Sequence, residues 1–343
     1  MQQLRLLLLP FAWVYGVVTF TRNKLYDFGI FNSYSIPQKS ICVGNLALGG
    51  TGKTPHVAYL ANLLKSRNQT SILSRGYGRK TQGFILANRD STGIEIGDEP
   101  KLYYSRFSPL VNVAVCEKRV IGVKQIEKLF PNNEVILLDD AFQHRAVKAG
   151  VNILITDYSS LYSDDYVVPA GNLREWKSGR KRANWVIVSK CPEKLSDHEK
   201  TKIIQKLKFD PSFVFFSTIV YGELIPFSKT PDQNLKNILL VTGISNPKPL
   251  IAELQKKYRI ETISFSDHHN FSLQEIDQIH EKFDTFATDQ KAIITTEKDF
   301  MRLSEMIDRT MIKNYPWMYQ SIEVKIDKEE IFNNLVYQYV DTI

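Results

Sequence analysis

The residues best suited by type and spacing to do chemistry are Lys53 and Thr54, which close the run Gly49-Gly50-Thr51-Gly52-Lys53-Thr54. Glycine has no Cβ, so a glycine-rich backbone curls until its N–H groups point inward at phosphate oxygens. A lysine directly after such a loop reaches the terminal phosphates of a nucleoside triphosphate, and the following hydroxyl ligates Mg²⁺. The loop departs from the pattern GxxxxGK[ST] at Ala47, where the first Gly belongs. Alanine fits that turn as long as its φ stays negative.

These groups need a strand to bring the chain in and a helix to carry it away. Ile41, Cys42 and Val43 form an apolar run before the loop, and Val57, Tyr59, Leu60, Leu63 and Leu64 recur at helical spacing after it. Strand, glycine loop and helix in this order make a phosphate-binding P-loop, to which the helix N-terminus adds the positive end of its dipole.

Further charged groups sit where other elements end. The run Val135–Asp140 reads VILLDD, and a carboxylate at the tip of a strand neighbouring a P-loop helps to hold Mg²⁺, which makes Asp139 and Asp140 metal candidates. Successive residues of an extended chain face opposite ways, so only one of the two points along a given face. Gln143 and His144 lie just beyond, placed to orient these carboxylates or to contact substrate. Gly97-Asp98-Glu99-Pro100 sets two carboxylates before a helical pattern. Asp98 or Glu99 would serve as base for an alcohol acceptor or as metal partner, and Asp98 would equally serve as a helix N-cap. In Ser266-Asp267-His268-His269 a carboxylate beside a His can fix the ring, so a dyad with a distant Asp stands against plain structural histidines in a loop. The stretch Gly171–Arg182 carries Arg174, Lys177, Arg180, Lys181 and Arg182, suited to a substrate phosphate, to anionic head groups or simply to solvent.

A chain of 343 residues has room for about two domains, and a hydrophobic fraction of 43% with 24% charged residues excludes a disordered class. Three widely separated cysteines, Cys42, Cys116 and Cys191, argue against a disulfide scaffold or a zinc site and fit a reducing compartment. The net charge of +7 implies an anionic partner: nucleic acid, an anionic membrane or a phosphorylated substrate. The N-terminal run LRLLLLPFAWVYGVVTF is shorter than the roughly 20 apolar residues of a spanning helix, is interrupted by Pro10, and lacks a small-residue cleavage site. Phe11, Trp13, Tyr15 and Phe20 with basic flanks suit a helix lying in a membrane interface, the alternative being a buried core helix.

From Ser40 onward, short apolar runs alternate with helical patterns, as in a doubly wound, mostly parallel α/β sheet. Strands are expected at Ile41–Val43, Thr70–Leu73, Val111–Val115, Val135–Leu138, Val151–Ile155 and Trp185–Val188. The Pro-containing polar stretch Gly222–Asn237 reads as a domain boundary, with a smaller α/β unit after it. Three divisions follow: residues 1–30 as the interface helix, 31–225 as the P-loop domain and 226–343 as the smaller domain, whose last helix could pack on either.

Taken together, the chain resembles the tetraacyldisaccharide 4'-kinase family of lipid A biosynthesis. The matching motifs are VGNLxxGGTGKTP at Val43–Pro55, SRGYGRK at Ser74–Lys80, GDEP at Gly97–Pro100, DDAFQH at Asp139–His144, PAGNLRE at Pro169–Glu175, FSDHHNF at Phe265–Phe271 and TTEKDFMRL at Thr295–Leu303. They run in the family's order over nearly the whole chain. Two departures, Ala141 for a usual Gly and Asn172 before LRE, remove no charged group.

The resemblance implies a kinase that moves the γ-phosphoryl of ATP, with Mg²⁺, to the 4'-hydroxyl of an acylated disaccharide 1-phosphate. Lys53 would contact the phosphates alongside the loop residues Gly49, Gly50, Thr51 and Gly52. Thr54 would ligate Mg²⁺, with Glu99, Asp139 and Asp140 as the acidic metal environment. Asp98 looks like the general base and His268 its partner; a meeting of the two would place the site between the domains. Arg119, Gln143, His144, Asn172 and Arg174 are the candidate substrate contacts. The implied place is the cytoplasmic face of the bacterial inner membrane, peripheral or monotopic, with no nucleic acid and no obligate protein partner. The rival reading is a membrane-tethered nucleotide switch. A guanine-reading NKxD motif is absent, the nearest strings being Val188-Ser189-Lys190-Cys191 and Thr296-Glu297-Lys298-Asp299.

Overall fold

The structure, a computed structural model, describes residues 5–231, 234–309 and 311–342. Residues 1–4 of the expected N-terminal segment lie outside the described residues. The chain divides into two compact units: Met1–Arg89, Tyr103–Ile219 and Val324–Ile343 form the first, and Asp90–Leu102 with Val220–Glu323 the second.

The first unit begins with helix α1 (Leu9–Asp27), preceded by a 3₁₀ turn at Leu6–Leu8. A two-residue parallel pair, β1 (Tyr34–Ser35) and β7 (Val147–Lys148), forms a small sheet of its own. The main sheet uses β2 (Lys39–Asn45), β3 (Thr70–Ser74), β4 (Ile85–Leu86), β5 (Val111–Val115), β6 (Val135–Asp139), β8 (Val151–Asp157), β9 (Trp185–Ser189) and the start of β10 (Val214–Pro226). Their spatial order is β10-β9-β8-β2-β6-β3-β5-β4, parallel except for β4 at the edge. The six strands expected in this unit each form within two residues of their predicted ends. The reason is burial: β6 and β9 are buried at every position as near-continuous apolar runs covered on both faces, and β3 is buried as fully because its Thr70, Ser71 and Ser74 hydroxyls are hydrogen-bonded.

Helix α2 (Lys53–Leu64) leaves the glycine loop and buries Val57, Ala58, Leu60, Ala61 and Leu64, and α5 (Arg119–Leu129) and α6 (Asp197–Leu207) belong to the same unit. The closing helix α10 (Glu329–Asp341) belongs to this unit, where Tyr59 donates to Asn333 at 2.8 Å and Tyr339 to the Ser40 carbonyl at 3.2 Å.

The second unit has its own parallel sheet in the order β12 (Arg259–Ser264), β11 (Asn237–Thr242), β13 (Lys291–Thr296), β14 (Trp317–Ile326). Alternate residues of β11 feed two cores: Leu239 and Val241 pack with Ile276, Phe283 and Trp317, while Ile238 and Leu240 pack with Leu250 and Leu254. Helices α7 (Lys248–Leu254), α8 (Leu273–Asp284) and α9 (Glu297–Leu303) follow its strands.

The division differs from the sequence expectation at both ends, where α1 lies in the first unit and Val324–Ile343 returns to it, and in two further ways. The chain crosses between units inside β10, at Ile219/Val220, instead of in the Pro-containing stretch. The segment Asp90–Leu102, with the short helix α3 (Gly93–Ile96) and the first turn of α4 (Asp98–Phe107), belongs to the second unit although it lies amid first-unit sequence. Composition marks linkers, whereas long-range packing decides membership.

Candidate active site

In the first unit the P-loop joins β2 to α2. Gly49 and Gly52 stand at φ +98° and +87°, a left-handed backbone that favours glycine, and Gly52 is the helix cap without any side-chain hydrogen bond to the first turn. The first N–H groups of α2 are therefore open to an anion. A Cβ built on Gly49 or Gly50 would meet nothing within 4 Å, so the loop walls an open cradle. Its floor is braced from below: Asn45 Nδ2 donates to Thr51 Oγ1 at 2.8 Å, Ser189 Oγ donates to the Thr51 carbonyl at 2.7 Å, and His56 Nδ1 lies 2.6 Å from the Gly52 carbonyl. Burial pushes the His56 imidazole down to about 4, so it braces the loop as a neutral ring.

Asp139 and Asp140 part company at the tip of β6. Asp139 is buried, its Oδ2 accepting from Ser74 Oγ at 2.9 Å. Asp140 turns out of the strand at φ +46° and presents both oxygens to Arg174 Nη1 at 3.0 and 3.1 Å, with Lys53 Nζ 3.7 Å away. Among the described residues no group of three or more His, Cys, Asp or Glu side chains converges as a metal site. One or two carboxylates, a hydroxyl and the phosphates themselves are the set that Mg²⁺ takes, and Thr54, Asp139 and Asp140 fit it. Glu99 belongs to the second unit, where it lies 3.6 Å from Lys298 Nζ.

The five expected substrate contacts all belong to the first unit, where the side chains of Arg119, Gln143, Asn172 and Arg174 are engaged with other groups of that unit. Arg119 is corrected as a direct phosphate contact: it is only 2% exposed and donates to the carbonyls of Cys116 at 2.6 Å and Asp139 at 2.9 Å. Burial lowers even this guanidinium to about 10, and its work is to hold the backbone under the carboxylates. Gln143 donates to the Asn45 carbonyl and to Glu175 Oε1 at 3.0 Å, and its Oε1 accepts from Arg174 at 3.4 Å. His144 is half-buried and driven down to about 4 by that burial and by the nearby Arg119 and Arg75 charges, so it stays neutral. Asn172 Oδ1 accepts from Arg5 at 3.1 Å. Arg174 couples Asp140 to α1, because its carbonyl accepts from Tyr15 at 3.2 Å. The basic stretch is largely occupied internally too: Arg182 pairs with buried Glu175 at 2.7 Å and stacks over Phe142, and Lys177 donates to the Ser163 carbonyl.

A second charged group forms within the second unit. Asp98 begins α4, and its Oδ2 receives His268 Nδ1 at 3.2 Å, Arg302 Nε at 3.0 Å and Arg302 Nη2. His268 stands at φ +59°, a strained backbone for a non-glycine residue, and its Nε2 lies 3.0 Å from Lys298 Nζ. An ammonium only donates, so Nε2 is the acceptor and Nδ1 carries the proton given to Asp98. Arg302 Nη2 also lies 3.2 Å from Nδ1, but two donors do not bond, and the guanidinium is held by Asp98 and, at 3.4 Å, by Asp299. The Asp98–His268 pairing is thus internal to one unit, not the junction of two domains that the sequence boundary implied.

Arg302 and Lys298 are the functional candidates that residue-by-residue reading missed. Their signal was present: Thr296 caps α9 by accepting from Asp299 N, and the i, i+4 spacing puts Lys298 and Arg302 on one helix face. Burial raises the Asp98 carboxyl, but hydrogen bonds from His268 and Arg302 more than offset it and hold the carboxyl below its ordinary range. Such a depressed carboxylate stabilises the fold above its unfolded-state value and loses that contribution as pH falls through the folded one. Arg302→Ala leaves burial less opposed, so the acid limb of a kcat/KM profile should move toward neutral pH. An unmoved limb would show that Arg302 does not set the ionisation of Asp98.

Comparison with known proteins bears on the whole chain. The family model described as tetraacyldisaccharide-1-P 4'-kinase matches residues 4–341. The tetraacyldisaccharide 4'-kinase of Bacteroides thetaiotaomicron is 42% identical over 97% of this chain and 92% of its own length. That of Flavobacterium psychrophilum is 43% identical over 96% and 97%. A crystal structure of LpxK from Aquifex aeolicus in complex with ATP is 29% identical, covers 98% of this chain and 99% of its own, and superposes with a TM-score of 0.76.

Proposed function

The chain belongs to the tetraacyldisaccharide-1-P 4'-kinase family, and from that premise we propose how its own residues perform the transfer of a phosphoryl group to the lipid disaccharide. It is an ATP-dependent kinase of lipid A biosynthesis, with ATP as donor and Mg²⁺ as the accompanying ion. A nucleotide switch without an acceptor is not favoured.

Phosphoryl transfer passes through a loose transition state, so the protein supplies position and charge rather than covalent chemistry. The glycine loop and the open N-terminus of α2 hold the phosphates. Lys53 places its charge on the β,γ-bridge and the γ-phosphoryl oxygens, where negative charge grows. Thr54, Asp139 and Asp140 would hold Mg²⁺, whose chemistry is to neutralise and align the phosphates. Arg174 keeps Asp140 in place. Asp98 receives three donors on Oδ2, which leaves Oδ1 as the acceptor for the 4'-hydroxyl proton. A carboxylate of depressed basicity suffices, since a loose transition state asks for an oriented hydroxyl more than a strong base. The carrying observation is this built carboxylate, ionised, oriented by His268 and flanked by cations.

For the membrane, α1 carries the proposal. Phe11, Trp13, Val14 and Val18 are each more than half exposed, and only Ala12 and Gly16 are buried, so it is not a core helix. It is tied to the first unit at both ends, by Arg5 to the Pro169 carbonyl and by Asn23 to Glu175 at 2.6 Å, while Gly16 lies against Trp176. A helix held along its length presents one apolar face without leaving its unit, which supports a monotopic interfacial helix. The requirement for ATP supports a position on the cytoplasmic face of the inner membrane. Each apolar side chain removed from water is worth about 1.5–3 kcal/mol, so Trp13→Glu with Val18→Glu should cut sedimentation with anionic vesicles at least about tenfold. Undiminished sedimentation would sink the interfacial role.

The activity itself is tested with labelled ATP, Mg²⁺ and a detergent-dispersed tetraacyldisaccharide 1-phosphate. Label is expected in the lipid; none above an Asp98→Ala control would count decisively against the assigned site.

A further inference from the structure

Of the string Val188-Ser189-Lys190-Cys191 only Ser189 has a role in the account above, yet the structure also lays Lys190 across the P-loop. Lys190 follows β9 at φ +57°, which bends the chain so that its side chain runs back over the glycine loop. Its Nζ donates to the Gly50 carbonyl and, at 2.8 Å, to Asp157 Oδ2 at the tip of β8. Ser189 beside it ties down Thr51, and Tyr158 N donates to the Ser189 carbonyl at 2.9 Å. The tips of β8 and β9 and the loop are thus one hydrogen-bonded platform, with the Lys190 side chain 40% exposed on it.

Strand order gives this platform a direction. In a parallel sheet, ligands lie outside the carboxyl ends of the strands. On one side of β2 stands β6, whose Asp139 and Asp140 mark the γ-phosphate and metal end; on the other side stand β8 and β9. A nucleotide whose terminal phosphate points to the β6 side must extend its nucleoside toward β8 and β9. With its ammonium fixed at Gly50 and Asp157, the four-carbon stem of Lys190 is held as an apolar strip along that route. Two residues on, where a guanine reader would need a carboxylate, the chain has Pro192, which offers neither carboxylate nor N–H.

We propose that Lys190 is the nucleobase platform of this kinase, its aliphatic stem supporting a purine that needs no guanine-specific acceptor. This rests on the ATP reading of the P-loop and adds to it the place of the base.

The test separates base from phosphate. Full-length wild type, Lys190→Met and Lys190→Ser are titrated calorimetrically, in detergent with Mg²⁺, with ADP and with inorganic tripolyphosphate. Covering about two CH₂ groups of the stem with a base is worth about a tenfold change, so Lys190→Ser should lose about tenfold in ADP affinity and little for tripolyphosphate. Lys190→Met, which keeps the stem, should retain most of the ADP preference. Equal loss of both ligands would make Lys190 a brace for the loop only, and unchanged ADP binding would place the base elsewhere; either overturns the proposal. Wild type that binds tripolyphosphate but gains nothing from the nucleoside also overturns it, while wild type that binds neither removes the ATP reading and the platform together.

Discussion

Asp98→Ala is expected to lower kcat by about 10²- to 10⁴-fold, the usual reach of a positioned acid or base, while ATP affinity stays within about twofold. The split follows from where the residue stands. Asp98 belongs to the second unit and touches His268 and Arg302, whereas the groups assigned to the phosphates belong to the first. Single-turnover rates and ATP titration of the same variant read the two effects separately. Equal loss of both would remove the base assignment. Because the alanine also strips Arg302 of its partner and leaves a buried cation, melting must be measured alongside; Asp98→Asn keeps the shape and should show the same rate loss with less destabilisation.

Lys53→Ala should cost about 10²- to 10³-fold in kcat/KM for ATP, the size of loss when one preorganised donor is removed from a developing charge. In the structure its ammonium sits 3.7 Å from Asp140 Oδ2 with little exposure, a pairing that aims it along the loop before nucleotide arrives. Lys53→Arg should rescue little, because a planar fork does not replace a compact point charge in a cradle this closely fitted to backbone N–H groups. A variant with near-normal kcat/KM would show that Lys53 serves only to hold Asp140.

What could be read in the sequence and what could not follow from the range of the forces involved. The P-loop was legible because its constraint is local: Gly49 and Gly52 occupy positive φ, and Lys53 follows as the first residue of α2. Most strands were legible because a parallel strand covered on both faces favours a nearly unbroken apolar run, as in β6 and β9. The site's charged network was only half legible. Asp98 and His268 were visible as types, but 170 positions separate them, and nothing local selects one partner from many. Arg302 was hidden in the same way, and Arg119 misled because a lone arginine is read as a surface cation until its burial at 2% exposure is known.

By itself the sequence determined the phosphate-binding loop, the order of strands and helices, the family and an apolar N-terminus. Those are set by backbone sterics and by the period of hydrophobic residues, which act over a few positions. The tertiary structure alone decided that Asp90–Leu102 joins the second unit, that Arg302 and His268 share Asp98, and that Arg174 takes Asp140. It likewise decided that α1 keeps its aromatic face outside the core. Such outcomes depend on which distant surfaces and charges must satisfy one another once water is excluded, and that is settled only when the whole chain has packed.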